Sequence, residues 1–252
     1  GSNIGDHDRL PHGNTGKTIC FSKQKYYLFL RSGKGDQCLT WWEFMVKNPD
    51  RIITALFEHL ELSLLATLMG LMVAIPLGIY LTRNKKLAGP VFSVVNFLQT
   101  IPGLALLGFM IPIFGLGNET ALAALFIYAI LPILRNTYTG IDGVDPFLIE
   151  AGGGMGMKRR QLLFLVEIPN ALPVIMAGIR VSAVIIIGWA TLAAYVGGGG
   201  LGRLIMGGLA MSRPEMVLAG AIPAAILALL TDFCLGRLEM KLIPRGLRQP
   251  KQ

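Results

Sequence analysis

The chain has 252 residues, of which 53% are hydrophobic and only 15% are charged, and its mean hydropathy is +0.57. Because an ordinary soluble domain carries about 25% charged residues, this composition indicates a membrane protein rather than a soluble one. The formal net charge is +8, but the basic residues flank apolar segments instead of forming one patch, which argues against a nucleic-acid-binding protein.

Residues 1–44 precede the apolar segments and contain no run long enough to cross a membrane. The string Gly13–Thr18 ends in Gly-Lys-Thr, as a phosphate-binding loop does, but Pro11 occupies the position of the first glycine. We therefore expect no ATPase and no cofactor in this chain. Gly1-Ser2 is typical of an expression tag, and we expect residues 1–44 to form a poorly structured extension, tag-derived or non-functional.

Five apolar segments are candidates to cross a membrane, since a helical span needs about 20 mainly apolar residues. They cover residues 60–82, 91–113, 119–135, 171–196 and 216–236. The predicted fold class is therefore an all-α integral membrane protein, a bundle of five transmembrane helices. We predict a transmembrane domain over residues 45–247 and a short cytoplasmic tail over residues 248–252.

The charges between the spans predict which side each loop faces, because cytoplasmic loops are enriched in Lys and Arg. Basic residues follow the first, third and fifth spans: Arg83, Lys85, Lys86, Lys158, Arg159, Arg160, Arg237, Lys241, Arg245, Arg248 and Lys251. The loops after the second and fourth spans carry few charges. This pattern predicts an N-terminus outside the cell and a C-terminus in the cytoplasm.

Prolines lie inside the first three spans, at Pro76, Pro102, Pro112 and Pro132. Proline is tolerated in a spanning helix where a neighbouring helix or a cavity satisfies the freed carbonyl. Such breaks favour a bundle around a passage, although kinks also occur in purely structural bundles. The chain shows no internal repeat of the kind that secondary transporters carry, so a second copy or a homologous chain would have to complete a pore.

The loop between the third and fourth spans is glycine-bearing and basic, which predicts a helix–turn–helix on the cytoplasmic side. Gly156 supplies the break, because glycine accepts positive φ, and the glycines at 152–154 weaken the first short helix. The candidate residues for coupling this loop to a partner protein are Glu150, Ala151, Gly152, Gly156, Val166, Ile168 and Pro169. The competing interpretation is an ordinary polar connector.

A second glycine-rich string closes the fourth span on the predicted outer side. Its candidate gating or docking residues are Gly197, Gly198, Gly199, Gly200 and Gly202. So many glycines cannot hold a helix, so we expect a sharp turn there. A phosphate-binding loop is excluded because no Gly-Lys-Ser/Thr follows.

Trp189, Thr191 and Tyr195 are candidate pore-lining residues, because aromatic faces attract quaternary ammonium groups. The alternative, equally supported by the sequence, is that Trp189 packs against a neighbouring helix.

Three ionisable residues in or near spans, Arg135, Arg180 and Asp232, are costly there unless paired. We predict that they are structural charges, with Arg180 paired to Asp232 or Arg135 paired to Asp142. No cluster has metal-ligand spacing, so no metal site is expected.

The 150–169 loop resembles the EAA loop of binding-protein-dependent ABC importer permeases, written E-A-A-x3-G-x9-I-x-L-P. Glu150, Ala151, Gly156 and Pro169 match it outright, while Gly152, Val166 and Ile168 replace its second alanine, its isoleucine and its leucine. The strings at 96–102, 131–138, 173–180 and 188–202 are similar to the OpuB/OpuC-type branch.

That resemblance implies a MetI-like five-helix permease, not an enzyme, in a bacterial cell membrane. It also implies a second permease subunit, two cytoplasmic ATPase subunits that bind ATP-Mg, and an extracytoplasmic substrate-binding protein. The implied solutes are glycine betaine, carnitine and choline. The alternatives are a permease of the same superfamily for another solute, an ion-coupled secondary transporter and a non-transporting scaffold.

Overall fold

The computed structural model describes the backbone of residues 18–21 and 28–31 and the whole of residues 41–242. In the first part, β1 (Thr18–Phe21) and β2 (Leu28–Arg31) pair antiparallel, with Thr18 opposite Arg31. The prediction for residues 1–44 falls mostly outside the described residues, and the predicted tail at 248–252 falls wholly outside them.

Residues 41–242 are helical throughout apart from short connections, which confirms the all-α prediction for the membrane domain. The α-helices are α1 (Trp41–Lys47), α2 (Pro49–Arg83), α3 (Lys85–Thr100), α4 (Gly103–Phe114), α5 (Asn118–Asp142), α6 (Pro146–Gly154), α7 (Arg159–Leu162), α8 (Ile168–Ala190), α9 (Gly202–Ala210) and α10 (Pro214–Leu242). A π-helical turn, Leu163–Glu167, leads into α8, and a 3₁₀ turn, Thr191–Val196, follows it. The predicted domain boundary at residue 45 falls inside α1.

Four of the five predicted spans lie inside single long helical segments that are apolar enough to cross a membrane. These segments are Pro49–Arg83, Asn118–Asp142, Arg159–Val196 and Pro214–Leu242. The fifth predicted span, over residues 91–113, is interrupted as its prolines predict, because α3 and α4 meet at an angle of 99°. The described residues contain a fifth span only if α3 and α4 together are counted as one broken span.

The bend between α3 and α4 falls at Ile101 and Pro102. Proline disfavours the helical conformation in the residue before it, and Ile101 is extended, with ψ of 125°. The carbonyl that this frees is used, because the Tyr128 hydroxyl on α5 donates a hydrogen bond to the Ile101 oxygen. The proline thus interrupts the helix, and the hydrogen bond from Tyr128 on α5 stabilises the backbone at the interruption.

The other prolines that we predicted to interrupt spans lie within continuous helices. Pro132 has no N–H to donate to the carbonyl of Tyr128, four residues earlier. The Gln99 side-chain amide on α3 donates to that oxygen instead, at 2.9 Å. A neighbouring side chain therefore replaces the missing hydrogen bond, and α5 continues past its proline without a break.

Small residues bring α2, α5 and α8 into close contact. A Cβ added at Gly70 would lie 2.8 Å from the Ala129 Cβ, and one at Gly78 would lie 2.8 Å from the Thr137 Cγ2. Between apolar helices in lipid, such close approach provides the van der Waals contact that holds the helices together. These three helices form the centre of the bundle, and both glycine-containing loops connect to them.

Candidate functional site

The predicted helix–turn–helix is present between α5 and α8. Asp145 caps the start of α6 by accepting a hydrogen bond from the Phe147 N–H at 2.9 Å. At the other end of α6, the Met157 N–H donates to the Gly152 carbonyl at 3.1 Å and the Gly156 N–H donates to the Gly153 carbonyl at 2.9 Å. These are the two hydrogen bonds of a Schellman motif.

Gly156 occupies the left-handed position of that motif, with φ of +79°. An L-residue pays a conformational penalty there, because its Cβ approaches a backbone oxygen. Open space surrounds the position where a Cβ would be placed. The requirement for glycine at 156 is therefore conformational and not one of packing.

The glycines at 152–154 do not shorten α6, which runs through Gly154. Gly152 is buried, and its added Cβ would lie 2.6 Å from the Leu162 Cδ1 on α7. Glu150 and Ala151 are exposed, whereas Val166, Ile168 and Pro169 are half-buried where the chain enters α8. Of the residues aligned with the EAA pattern, Glu150 and Ala151 therefore lie on the protein surface, whereas those at 166–169 join the loop to the bundle.

This loop also exposes large apolar side chains. The Phe147 side chain is 79% exposed, and the others are Leu148, Met155, Phe164 and Leu165. They belong to α6, the turn and the π-helical turn rather than to the predicted spans. A cluster of exposed apolar residues beside charged ones is typical of a protein–protein contact surface.

Two ion pairs lie at the same end of the bundle. Arg83, the last residue of α2, contacts the Glu167 carboxylate, and Lys85 Nζ lies 2.6 Å from Asp142 Oδ1. Glu167 was missed as a site residue by the sequence reasoning, although an acidic residue at the entrance to a span is a signal that could have identified it. Together the pairs place the ends of α2 and α5 and the start of the fourth span close together.

The second predicted loop, at the far end of α2, also turns sharply. Gly198 donates its N–H to the Ala193 carbonyl at 2.9 Å, and Gly197 donates to the Ala194 carbonyl at 3.3 Å. Gly197 has φ of +77° and Gly200 has φ of +94°. The fourth span therefore ends in a Schellman motif as well, and α9 begins at Gly202.

Side chains from α2 and α5 hold this outer glycine loop, which we define as residues 197–202. Glu58 accepts a hydrogen bond from the Gly200 N–H at 2.8 Å and also contacts the Arg203 guanidinium. Asn118 accepts from the Gly199 N–H at 2.8 Å. The sequence reasoning assigned no role to Glu58, Arg203 or Asn118, because only the fold brings them to the loop.

His59 supports the same region from inside α2 and is fully buried. Its Nε2 lies 3.0 Å from the Ile187 carbonyl oxygen, and it must carry the proton because a carbonyl only accepts. That oxygen is available because the helix tightens into the 3₁₀ turn at Thr191, whose N–H donates to Gly188. A local change of helix type thus creates the contact between α2 and the fourth span.

Trp189 is part of an aromatic stack. Its ring is parallel to the Tyr128 ring within 5°, with ring centroids 4.9 Å apart. A Cβ added at Gly103, the first residue of α4, would overlap the Trp189 ring. Tyr195 and Thr191 are the other two predicted pore-lining residues. The Tyr195 side chain is 51% exposed, and the Thr191 hydroxyl donates a hydrogen bond to the Gly188 carbonyl. In this chain Trp189 joins α4, α5 and α8.

The predicted pairing of Arg180 with Asp232 is present. Arg180 Nη2 lies 2.7 Å from Asp232 Oδ2, and Nε contacts the other carboxylate oxygen. Arg135 does not pair with Asp142 but donates to the Asn96 side chain at 3.4 Å. Over the part of the chain that the structure describes, no three His, Cys, Asp or Glu side chains are arranged to hold a metal ion.

Comparison with known sequences places this architecture in a family. Residues 66–244 match the family described as "Binding-protein-dependent transport system inner membrane component". The chain belongs to that family. It is therefore a multi-pass membrane component of a transport system, and the family resemblance stated from the EAA loop and the other strings is confirmed.

Several curated relatives cover most of the chain. The carnitine transport permease protein OpuCB of Listeria monocytogenes is 53% identical over 209 residues, which is 83% of this chain and 96% of the relative. The choline transport system permease protein OpuBB of Bacillus subtilis is 49% identical over 210 residues, covering 83% and 97%. The relatives are thus permeases for quaternary amines.

A solved structure has the same fold. The permease of the MetNI methionine ABC transporter, in an inward-facing conformation, superposes with a TM-score of 0.70 at 24% sequence identity. The match covers 78% of this chain and 99% of that chain. The predicted MetI-like fold is therefore confirmed.

Proposed function

We propose that this chain is the transmembrane permease subunit of an ATP-driven importer for osmoprotectant quaternary amines such as glycine betaine, carnitine and choline. The support for the solute class is the set of relatives whose own names carry carnitine and choline, at 49–53% identity over 83% of this chain. The chain forms half of the pathway through the bacterial cell membrane, and a second permease subunit, identical or homologous, forms the other half.

Two cytoplasmic ATPase subunits, which hold ATP-Mg, drive the cycle, and an extracytoplasmic binding protein delivers the solute. The basic residues after the first, third and fifth spans support a cytoplasmic location for the 150–169 loop and for the C-terminus. The N-terminus and the outer glycine loop then face outside. This arrangement places the two glycine-dependent turns on opposite sides of the membrane.

The observation that carries the proposal is the geometry of the 150–169 loop. It is a helix–turn–helix fixed by Gly156, with Glu150 and Ala151 exposed. The helix–turn–helix, which begins with α6 at Pro146, also exposes apolar side chains outside the predicted spans, among them Phe147 and Phe164. A surface of this kind is unfavourable in water, so we assign it to contact with an ATPase subunit.

The test substitutes Gly156 and a matched glycine in the complete importer reconstituted in liposomes. Gly156→Ala forces a side chain into a left-handed conformation at a cost of about 1–2 kcal/mol, and a larger or charged residue such as Gly156→Asp adds bulk at the contact surface. Gly154→Ala is the control, because Gly154 is also exposed and has open space around it, but it has no positive φ.

We expect Gly156→Asp to retain ATP hydrolysis while uptake of labelled carnitine, choline or glycine betaine falls, and Gly154→Ala to match the wild type. Uptake by the Gly156→Ala variant should lie between the uptake of these two variants. If Gly156→Asp left both uptake and stimulated ATPase activity unchanged, the coupling role would be refuted. Uptake of none of the three solutes by an active wild-type importer would indicate a permease for another solute.

A further inference from the structure

Both functional loops are attached to the same helix. At one end of α2, Arg83 contacts Glu167 in the segment that joins the 150–169 loop to α8. Toward the other end, at its tenth residue, Glu58 accepts a hydrogen bond from the Gly200 N–H of the outer glycine loop and contacts the Arg203 guanidinium of α9. The two attachment points are separated by about 38 Å along an α-helix, from the rise of 1.5 Å per residue.

The ion pair between Arg83 and Glu167 is costly to break, because Glu167 is buried. Its side chain is 1% exposed, and its Oε1 has no hydrogen-bond partner among the described residues. Arg83 is the one cation paired with this carboxylate in the described part of the chain. A buried carboxylate is costly without its partner, so Glu167 cannot move away from Arg83 without a large free-energy penalty.

Glu167 also occupies a distinctive place in the backbone. It is the last residue of the π-helical turn, directly before Ile168 and Pro169. Single π-helical turns are frequent at functional sites in otherwise α-helical segments. Glu167 therefore connects the 150–169 loop to α8 through the backbone and to α2 through its side chain.

Between its two ends, α2 is continuous. It has 35 residues and runs through Pro76 without a break. It is held against α5 where Gly70 meets Ala129 and where Gly78 meets Thr137. Arg83 and Glu58 therefore lie on one unbroken helix that packs closely against α5.

We propose that α2 transmits motion between the 150–169 loop and the outer glycine loop, with Arg83–Glu167 and Glu58–Arg203 as its attachment points. The inference rests on the proposed importer function and assigns Arg83, Glu167 and Glu58 as positioning residues. Their effect is to make the two sides of the membrane change together.

The test measures coupling instead of activity alone. In the complete importer in liposomes, the quantity is the number of solute molecules imported per ATP hydrolysed. Arg83→Gln should lower this ratio by about tenfold, within the range usual for coupling between distant sites, while ATP hydrolysis continues. Arg83→Lys, which keeps the charge, should restore part of it.

Lys85→Gln is the matched control. Lys85 is two residues away, carries the same charge and forms an ion pair at the same end of the bundle, but its partner Asp142 lies at the end of α5 and not in the loop. It should keep the wild-type ratio. Because Arg83→Gln leaves a buried carboxylate unpaired, the double variant Arg83→Gln/Glu167→Gln provides a version without that charge, and we expect the same loss of coupling from it.

A second readout follows the outer side directly. Leu209 on α9 is exposed, and Leu209→Cys in a chain whose native cysteines are replaced by serine reports the labelling rate by a membrane-impermeant maleimide. In the wild-type background this rate should change when the ATPases are trapped with vanadate, and with Arg83→Gln it should not.

A wild-type ratio and a wild-type labelling change in both Arg83→Gln and the double variant would overturn the proposal. An equal loss with Lys85→Gln would overturn it too, because the effect would then belong to the whole end of the bundle. Absence of ATP-driven uptake by the wild-type importer would instead refute the proposed function on which the inference rests.

Discussion

Replacement of Gly103 by alanine tests the contact that joins the broken second span to the aromatic stack. The new Cβ would overlap the Trp189 ring, which is stacked on Tyr128. Insertion of a methyl group into a filled site costs about 1–3 kcal/mol, and displacement of the ring from its stack costs about a further 0.5–1.5 kcal/mol. We therefore expect Gly103→Ala to destabilise the bundle by about 2–4 kcal/mol.

Gly108→Ala is the control on the same helix, since a Cβ at Gly108 would meet no heavy atom within 4 Å. In a helix interior alanine is favoured over glycine by up to about 1 kcal/mol, so this variant should be equal to or more stable than the wild type. Because Gly103 is the first residue of α4, little of that helical gain is available to offset its clash.

The assay is thermal unfolding of the purified protein in detergent, followed by near-ultraviolet circular dichroism to report on the stacked rings. For a chain of this size a change of 1 kcal/mol shifts Tm by about 2–4 °C, so Gly103→Ala should melt about 5–15 °C below the wild type. The aromatic signal should change even in the folded protein. Equal Tm values for Gly103→Ala and Gly108→Ala would refute the packing that we describe.

The remaining predictions concern the 150–169 loop and the ion pair between α8 and α10. Gly152→Ala should be tolerated, because its Cβ would come closer than ordinary contact only to the flexible end of the Leu162 side chain, with Met157 and Val166 at van der Waals distance. We expect unchanged uptake and slower hydrogen exchange in α6, and a loss of uptake would contradict this. Asp232→Asn removes the closer carboxylate of Arg180 and leaves Glu239 at 3.9 Å, so Tm should fall by less than in Gly103→Ala and by more than in the control Glu239→Gln.

The turn at Gly156 shows how a local requirement can be read from sequence. The break there depends on one residue type in one backbone conformation, and glycine is the residue that adopts positive φ at little cost. The same reasoning predicted the sharp turn that starts at Gly197. Both glycines end a helix with the same pair of backbone hydrogen bonds, which involve residues within five positions of each other.

The prolines in the second and third spans show where such reasoning fails. Proline occurs at Pro102, Pro112 and Pro132, yet only Pro102 lies at a break. The difference comes from partners that are distant in sequence, because Gln99 supplies the hydrogen bond that α5 lacks at Pro132, and Tyr128 binds the carbonyl exposed at Ile101. The residue type alone does not reveal whether such a partner is within reach.

The sequence by itself determined the membrane class, the all-α fold, the approximate spans and the two glycine-dependent turns, since hydropathy and φ preference are properties of short segments. Only the tertiary structure decided that Arg83 meets Glu167 and that Glu58 meets Gly200, because these residues are separated by 84 and 142 positions. Contacts between distant segments depend on how helices pack. In this chain that packing is what places both loops on α2.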